Sequence, residues 1–183
     1  MRNKLTKYAV KYGLTGGAFA SLILAGFYFI DPNPVDTGRT LLHFAVLPVF
    51  LLFGMLEFRS SLPSQTINYP KAIFVTSLIA FLTSGIYTAS EYSLMRFSPD
   101  KFETAKESYI KEWESKKEQI EEDQGEAFYS EQLEGRKKIG LTDFALVSGT
   151  VSTGVWALIW TITCSLMVSI WDQKKRKKIT DEN

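Results

Sequence analysis

One histidine and two carboxylates stand inside otherwise apolar stretches of this chain: His43, Glu91 and Asp143. An imidazole with two carboxylates is a donor set that could hold a metal ion or relay a proton. These three residues are therefore the first candidates for a catalytic or metal site, with Arg39 and Arg96 flanking them and Tyr87 and Tyr92 at the same level. The same residue types also serve as interfacial groups that cap a helix, reach water or pair with an arginine. The expectation is that the three do not all converge, and that Glu91 or Asp143 instead pairs with Arg96, Arg39 or a helix end. No zinc-protease helix motif, phosphate loop, dinucleotide fingerprint or nucleophile elbow accompanies them. The sequence assigns no catalytic residue, no metal and no cofactor.

The elements that would position those residues are long and apolar. Four stretches stand out, at about 8–30, 41–57, 72–95 and 141–171. Each approaches or exceeds the roughly 20 residues with which an α-helix crosses a bilayer core about 30 Å thick. The fold class expected is all-α: a polytopic membrane protein of four transmembrane helices. Residues 1–95 carry the first three spans, 96–140 an extramembrane helical hairpin, and 172–183 a basic tail. A mean hydropathy of −0.03 conceals this, because it averages charge-poor spans with a charged loop and tail. A net charge of +1 gives no reason to invoke nucleic acid. The one cysteine, Cys164, cannot form an intrachain disulfide. Arg2, Lys4, Lys7 and Lys11 before an apolar run resemble the start of a signal peptide, but the run is long and lacks a small-x-small cleavage site, so it reads as an uncleaved first span.

The loops are unequal. Asp31 to Thr40, with Pro32, Pro34 and Gly38, reads as a short turn, and Phe58 to Lys71 reads likewise. The third loop runs from Arg96 to Gly140. Ser98-Pro99-Asp100 there is a helix start, and Phe102, Ala105, Tyr109, Trp113 and Ile120 form one stripe. A helix from Pro99 to Gln124 would be about 38 Å long, ended by Gly125, with a shorter piece Glu126 to Glu134 returning. Its stripe either packs on the chain's own membrane domain or presents Phe102, Tyr109 and Trp113 to a partner or to lipid headgroups.

Helix packing should follow the small residues. Gly13, Gly17, Ser21 and Ala25 recur at every fourth position in the first span; Ala72, Thr76, Ala80 and Ser84 do so in the third; Ala145, Gly149, Thr153 and Ala157 do so in the fourth. In a bilayer such ridges allow the close backbone contact that drives association. Spans one, three and four are expected to form a tight core, and a surplus ridge on span four could serve a second subunit. Span two lacks a ridge and is expected at the periphery, kinked at Pro48, with Glu57 close to Arg59 at its inner end. Trp156 and Trp160 read as packing residues.

The order of features resembles a known family. Its marks here are Lys4-Leu5-Thr6-Lys7-Tyr8, a Gly-rich first span, Phe53-Gly54-Met55-Leu56-Glu57-Phe58-Arg59, then Ile67-Asn68-Tyr69-Pro70-Lys71-Ala72, a charged outer helix and a last span with a basic tail. Pro70 stands where a glycine is expected. The chain resembles the small four-span membrane proteins of Bacteroidota grouped as domain of unknown function 4199. That resemblance implies a bacterial inner-membrane protein with no established activity. It also implies an accessory role beside a polyprenyl-phosphate glycosyltransferase.

The function expected is a non-enzymatic accessory or scaffold subunit that packs with itself or with a partner membrane protein. The alternative is a membrane enzyme or transporter acting on a lipid-linked or small substrate through the outer polar layer. The span centres are uncharged, which argues against an ion-coupled transporter. Lys174, Lys175, Arg176, Lys177 and Lys178 read as a lipid-headgroup contact. Total Lys and Arg divide 11 to 10 between the two sides, but the basic clusters are densest at the termini, which are therefore expected in the cytoplasm. A reporter fused after Asn183 should be active only in its cytoplasmic form; activity confined to the outside would reverse the topology.

Overall fold

A computed structural model describes the backbone of residues 2–181 and the side chains of 4–147, 150–151 and 153–173. Lys174 to Lys178 and Gly149, named above for headgroup contact and packing, lie outside the described side chains. The described backbone is helical, without strands. It contains α1 (Arg2–Ile30), α2 (Pro34–Leu41), a π-helical turn (Leu42–Val46), α3 (Leu47–Ser60) and α4 (Tyr69–Phe97). Then follow α5 (Pro99–Glu114), α6 (Lys117–Gln124), α7 (Glu126–Lys138), α8 (Leu141–Phe144), a π-helical segment (Ala145–Ser152) and α9 (Thr153–Asp181). Four helical segments are long and apolar enough to cross a membrane: Lys4–Ile30, Pro34–Ser60, Tyr69–Phe97 and Thr153–Gln173.

The second of these corrects the sequence reading twice. It begins at Pro34 and covers 27 residues, because Pro34 sits at the first helical position, where its missing N–H costs nothing. Only Asp31, Pro32 and Asn33 remain as the turn. Asp31 accepts from the Asn33 N–H at 2.7 Å; the Thr37 hydroxyl and that N–H hold its carboxyl below the usual range. Gly38 is a packing residue rather than a turn residue: a Cβ there would stand 2.6 Å from Leu24 Cδ1. The second correction concerns position. Leu47, Leu51, Met55 and Phe58 are all fully buried, and α3 contacts α1, α4 and α9. A ridge is not the only route to the interior. Large side chains fill the space between helices, and Gly54 alone admits Tyr12 and Ile79. Just before Pro48 the helix widens to a π turn, with the Leu47 N–H donating to Leu42 O.

The small ridges divide their work. On α1, Gly13 and Gly17 lie against Leu82 and Ile86 of α4, where added Cβ atoms would be 2.6 and 2.7 Å from the neighbouring Cβ atoms. On α4, Ala72, Thr76 and Ala80 are buried, and Thr76 Oγ1 lies 3.0 Å from Ser165 Oγ of α9. α4 thus packs against both α1 and α9. Ser21 takes a different course, donating to Gly17 O of its own helix at 2.8 Å.

The outer loop folds as a hairpin in three helices rather than two. The expected single helix ends at Glu114, and Ser115 and Lys116 turn it so that α6 packs beside α7. The break at Gly125 has φ of 90°, a conformation glycine adopts freely. α7 continues past Glu134 and Gly135 to Lys138. The fourth span is likewise not uniform, since the π-helical segment interrupts it and its helix continues beyond Trp171 to Asp181.

Gly17→Ala should lower thermal stability in detergent, by about 1–3 kcal/mol for forced overpacking. Gly85→Ala, where nothing lies within 4 Å of the new Cβ, should leave it unchanged or slightly raised. Equal effects would show that the α1–α4 contact is looser than described.

Candidate functional site

The ion pairs between the spans lie at two levels. At the hairpin end of the bundle, the last turn of α2 aims Arg39 at Glu91 of α4, whose side chain is fully buried. The guanidinium also stands 5.4 Å over the Phe144 ring. Tyr87, one turn before Glu91 on the same face, and Tyr28 of α1 lie within electrostatic reach of this pair. Their hydroxyls and Glu91 Oε2 are buried without a protein hydrogen-bond partner.

The three candidates for chemistry take separate partners. Glu91 is held by Arg39. His43, on the π turn, is nearly buried; its Nε2 is 3.2 Å from Thr153 Oγ1, and its ring stacks on Trp156 at 6.0 Å. Asp143 is exposed on α8. Among the described residues no three His, Cys, Asp or Glu side chains are grouped as metal ligands.

At the end of the bundle away from the hairpin, the partners differ from those the sequence suggests. Arg59 does not pair with Glu57. Residues two apart point about 200° from each other round a helix, so the two leave α3 on opposite faces. Arg59 turns to Asp172 of α9, with Nη2–Oδ1 at 2.7 Å and Nε–Oδ2 at 3.1 Å. This two-pronged contact is the strong form of an Arg–carboxylate pair. Asp172 is fully buried and also accepts from the Ile67 N–H at 2.7 Å. It thereby ties the α3–α4 connection to the end of the fourth span. Glu57 instead takes Lys11 Nζ at 2.8 Å and the Tyr12 hydroxyl of α1. Asp172 had been read as part of the tail. The signal available was depth: Arg59 and Asp172 close two spans at the same membrane face.

The hairpin's aromatic stripe is engaged by its own chain. Phe102 and Tyr109 meet the Phe144 ring edge-on at 5.6 and 5.8 Å. Trp113 stacks on Tyr129 at 6.3 Å. Arg136 covers Trp113 and Tyr109 at 3.9 and 4.3 Å, and burial there pulls its guanidinium below the usual value. Lys101 Nζ to Asp31 O at 2.8 Å and Asn33 Nδ2 to Ser108 Oγ at 2.9 Å fasten α5 to the first loop.

A groove of about 800 Å³ runs between α4 and the fourth span. Ser84, Gly85 and Thr88 line one wall, and Thr150, Gly154 and Ala157 line the other. It opens on the side of the bundle, and a Cβ added at Gly85 or Gly154 would meet nothing within 4 Å. Upper parts of both small-residue ridges therefore face the groove rather than each other.

Residues 11–171 match the family model described as protein of unknown function (DUF4199), and the chain belongs to that family. Comparison with curated proteins returns no match, and neither does comparison with solved structures.

Asp172→Ala leaves Arg59 without its buried counter-charge and should cost about 3–5 kcal/mol of stability. Arg59→Ala should do the same to Asp172. The double variant should lose much less than the sum, because it strands no charge. Chemical unfolding of the four proteins in one detergent measures the coupling, and additive losses would remove the pair from the stability of the bundle.

Proposed function

We propose that the protein is a non-enzymatic accessory or scaffold subunit of a bacterial inner membrane, and that its lateral groove receives a transmembrane helix of a second subunit. The termini lie in the cytoplasm, with Lys174 to Lys178 against lipid headgroups and the hairpin on the outer side. What carries the reading is the groove wall. Gly85 and Gly154 have no neighbour within 4 Å of an added Cβ, so the chain's own packing does not require them to be glycines. Lipid tails fill such a surface no better than they fill a leucine-lined one, whereas a helix gains close backbone contact along it. The titratable groups of the spans support the same reading. Arg39, Glu91, Arg59, Asp172, Lys11 and Glu57 are engaged in pairs that join helices of this chain.

Affinity purification in mild detergent should recover the protein with a stoichiometric membrane partner or as an oligomer. Gly85→Leu should abolish that association while leaving the monomer's unfolding unchanged. Recovery as a lone monomer, or binding of a lipid-linked substrate or metal ion at the outer polar layer, would favour the enzyme or transporter reading instead.

A further inference from the structure

The Arg136 guanidinium is clamped but unpaired. Its Cζ lies 3.9 Å from the centre of the Trp113 ring and 4.3 Å from that of Tyr109. Its Nε is enclosed without a hydrogen-bond partner. Among the described residues no carboxylate meets it. The two Nη atoms are not enclosed in this way, so the outer edge of the fork stays open. Aromatic faces hold a cation in place, but they offer no acceptor to its N–H groups.

The fork stands at the level of the span ends. α5 is fastened along the hairpin end of the bundle. Lys101 and Ser108, two turns apart, both bond the turn that joins the first two spans, and Phe102 and Tyr109 both meet Phe144. Tyr109, on whose ring Arg136 rests, therefore touches the start of the fourth span. Charge is sorted along the hairpin as well. Arg136, Lys137 and Lys138 close α7 at the base; Lys138 is engaged by Glu134, which leaves Arg136 and Lys137. Glu118, Glu122, Asp123 and Glu126 are exposed at the far turn between α6 and α7. A layer of lipid phosphates attracts such a base and repels such a tip.

We propose that Arg136 binds the phosphodiester of a membrane phospholipid, its Nη groups donating to two oxygens of one phosphate, with Lys137 beside it. A guanidinium fork matches such a pair of oxygens and gives the strong, two-pronged form of the contact. A carboxylate fits the fork equally well; the depth of the site and the sorting of charge along the hairpin favour the phosphate. Arg136 is not among the residues that line the lateral groove, so the site does not depend on what fills it.

The test uses the full-length chain in mild detergent. Native mass spectrometry counts the phosphatidylglycerol molecules retained, with diacylglycerol as the phosphate-free probe. One phosphatidylglycerol should be held more tightly than any diacylglycerol. Arg136→Gln should weaken its retention about tenfold, and Arg136→Lys, which keeps the charge but not the fork, should recover only part of it. Thermal unfolding without lipid is followed for each variant, so that loss of the hairpin is not mistaken for loss of the ligand. A second measurement stands even where Arg136→Gln fails to fold: the guanidinium carbon-to-phosphorus distance in bilayers by solid-state magnetic resonance, assigned by the signal that Arg136→Lys removes. Close approach in the wild type supports the proposal, and its absence overturns it. Equal retention of diacylglycerol, or phosphatidylglycerol retention indifferent to Arg136→Gln, also overturns it. Inorganic phosphate that stabilises the wild type as much as phosphatidylglycerol does would replace the lipid with a soluble anion. Loss of a co-purifying protein in Arg136→Gln, with lipid retention unchanged, would assign the fork to a partner's carboxylate instead.

Discussion

A carboxylate taken into a bilayer must bring its counter-charge with it. Neither water nor backbone is free there to solvate it, and an unpaired ion costs several kcal/mol. Glu91 and Asp172 both have side chains fully shielded from solvent, and each is met by an arginine from another helix. Because each pair works only in one relative placement of its helices, the pairs act as register marks. Arg39–Glu91 sets α2 against α4 at one level, and Arg59–Asp172 sets α3 against α9 at the other. Lys11–Glu57 adds α1 to α3 at the end away from the hairpin. Hydrophobic contact alone would not select one rotation of an apolar helix among others, since lipid competes equally for its surface.

The number of long apolar helices and their rough limits were legible, because membrane thickness imposes a length that no other requirement mimics. That Glu91 takes an arginine rather than joining His43 and Asp143 was legible, but not which arginine: Arg39 and Arg96 both stood at its depth, and only the structure shows Arg39 meeting it in the interior. What escaped followed from one-dimensional rules being applied to three-dimensional neighbours. Glu57 and Arg59 are adjacent in sequence, but their directions round the helix separate them. Asp172 was read as the first residue of a basic tail because the apolar run ends at Trp171, although its partner stood at the same depth on another span. α3 was placed outside for want of glycines, yet Leu47, Leu51, Met55 and Phe58 bury completely. Size can fill an interior as well as smallness can bring backbones together.

The small residues make the complementary point. Their spacing marked the faces that approach other helices, but not which helix. Gly13 and Gly17 are committed, because Leu82 and Ile86 occupy the space a side chain would need. Thr76 and Ser165 are committed to each other. Further along the same ridges, residues of α4 and the fourth span line the groove instead. Spacing alone cannot separate a ridge closed by its own chain from one left open, because the separation depends on the angle between helices. The π-helical segment at Ala145–Ser152 lies where the fourth span lines the groove. A wider turn changes the direction in which its residues project.

The hairpin bears on that groove through Phe144. This residue ends α8, packs against the Arg39 guanidinium, and receives Phe102 and Tyr109 from α5. Arg39 is in turn held by Glu91. Thr142, which lines the groove, belongs to the same short helix as Phe144, so its position depends on two anchors at once: the buried ion pair and the aromatic cluster. The hairpin therefore bears on the groove without lining it. By clamping Phe144 it holds one lip of the membrane groove in place.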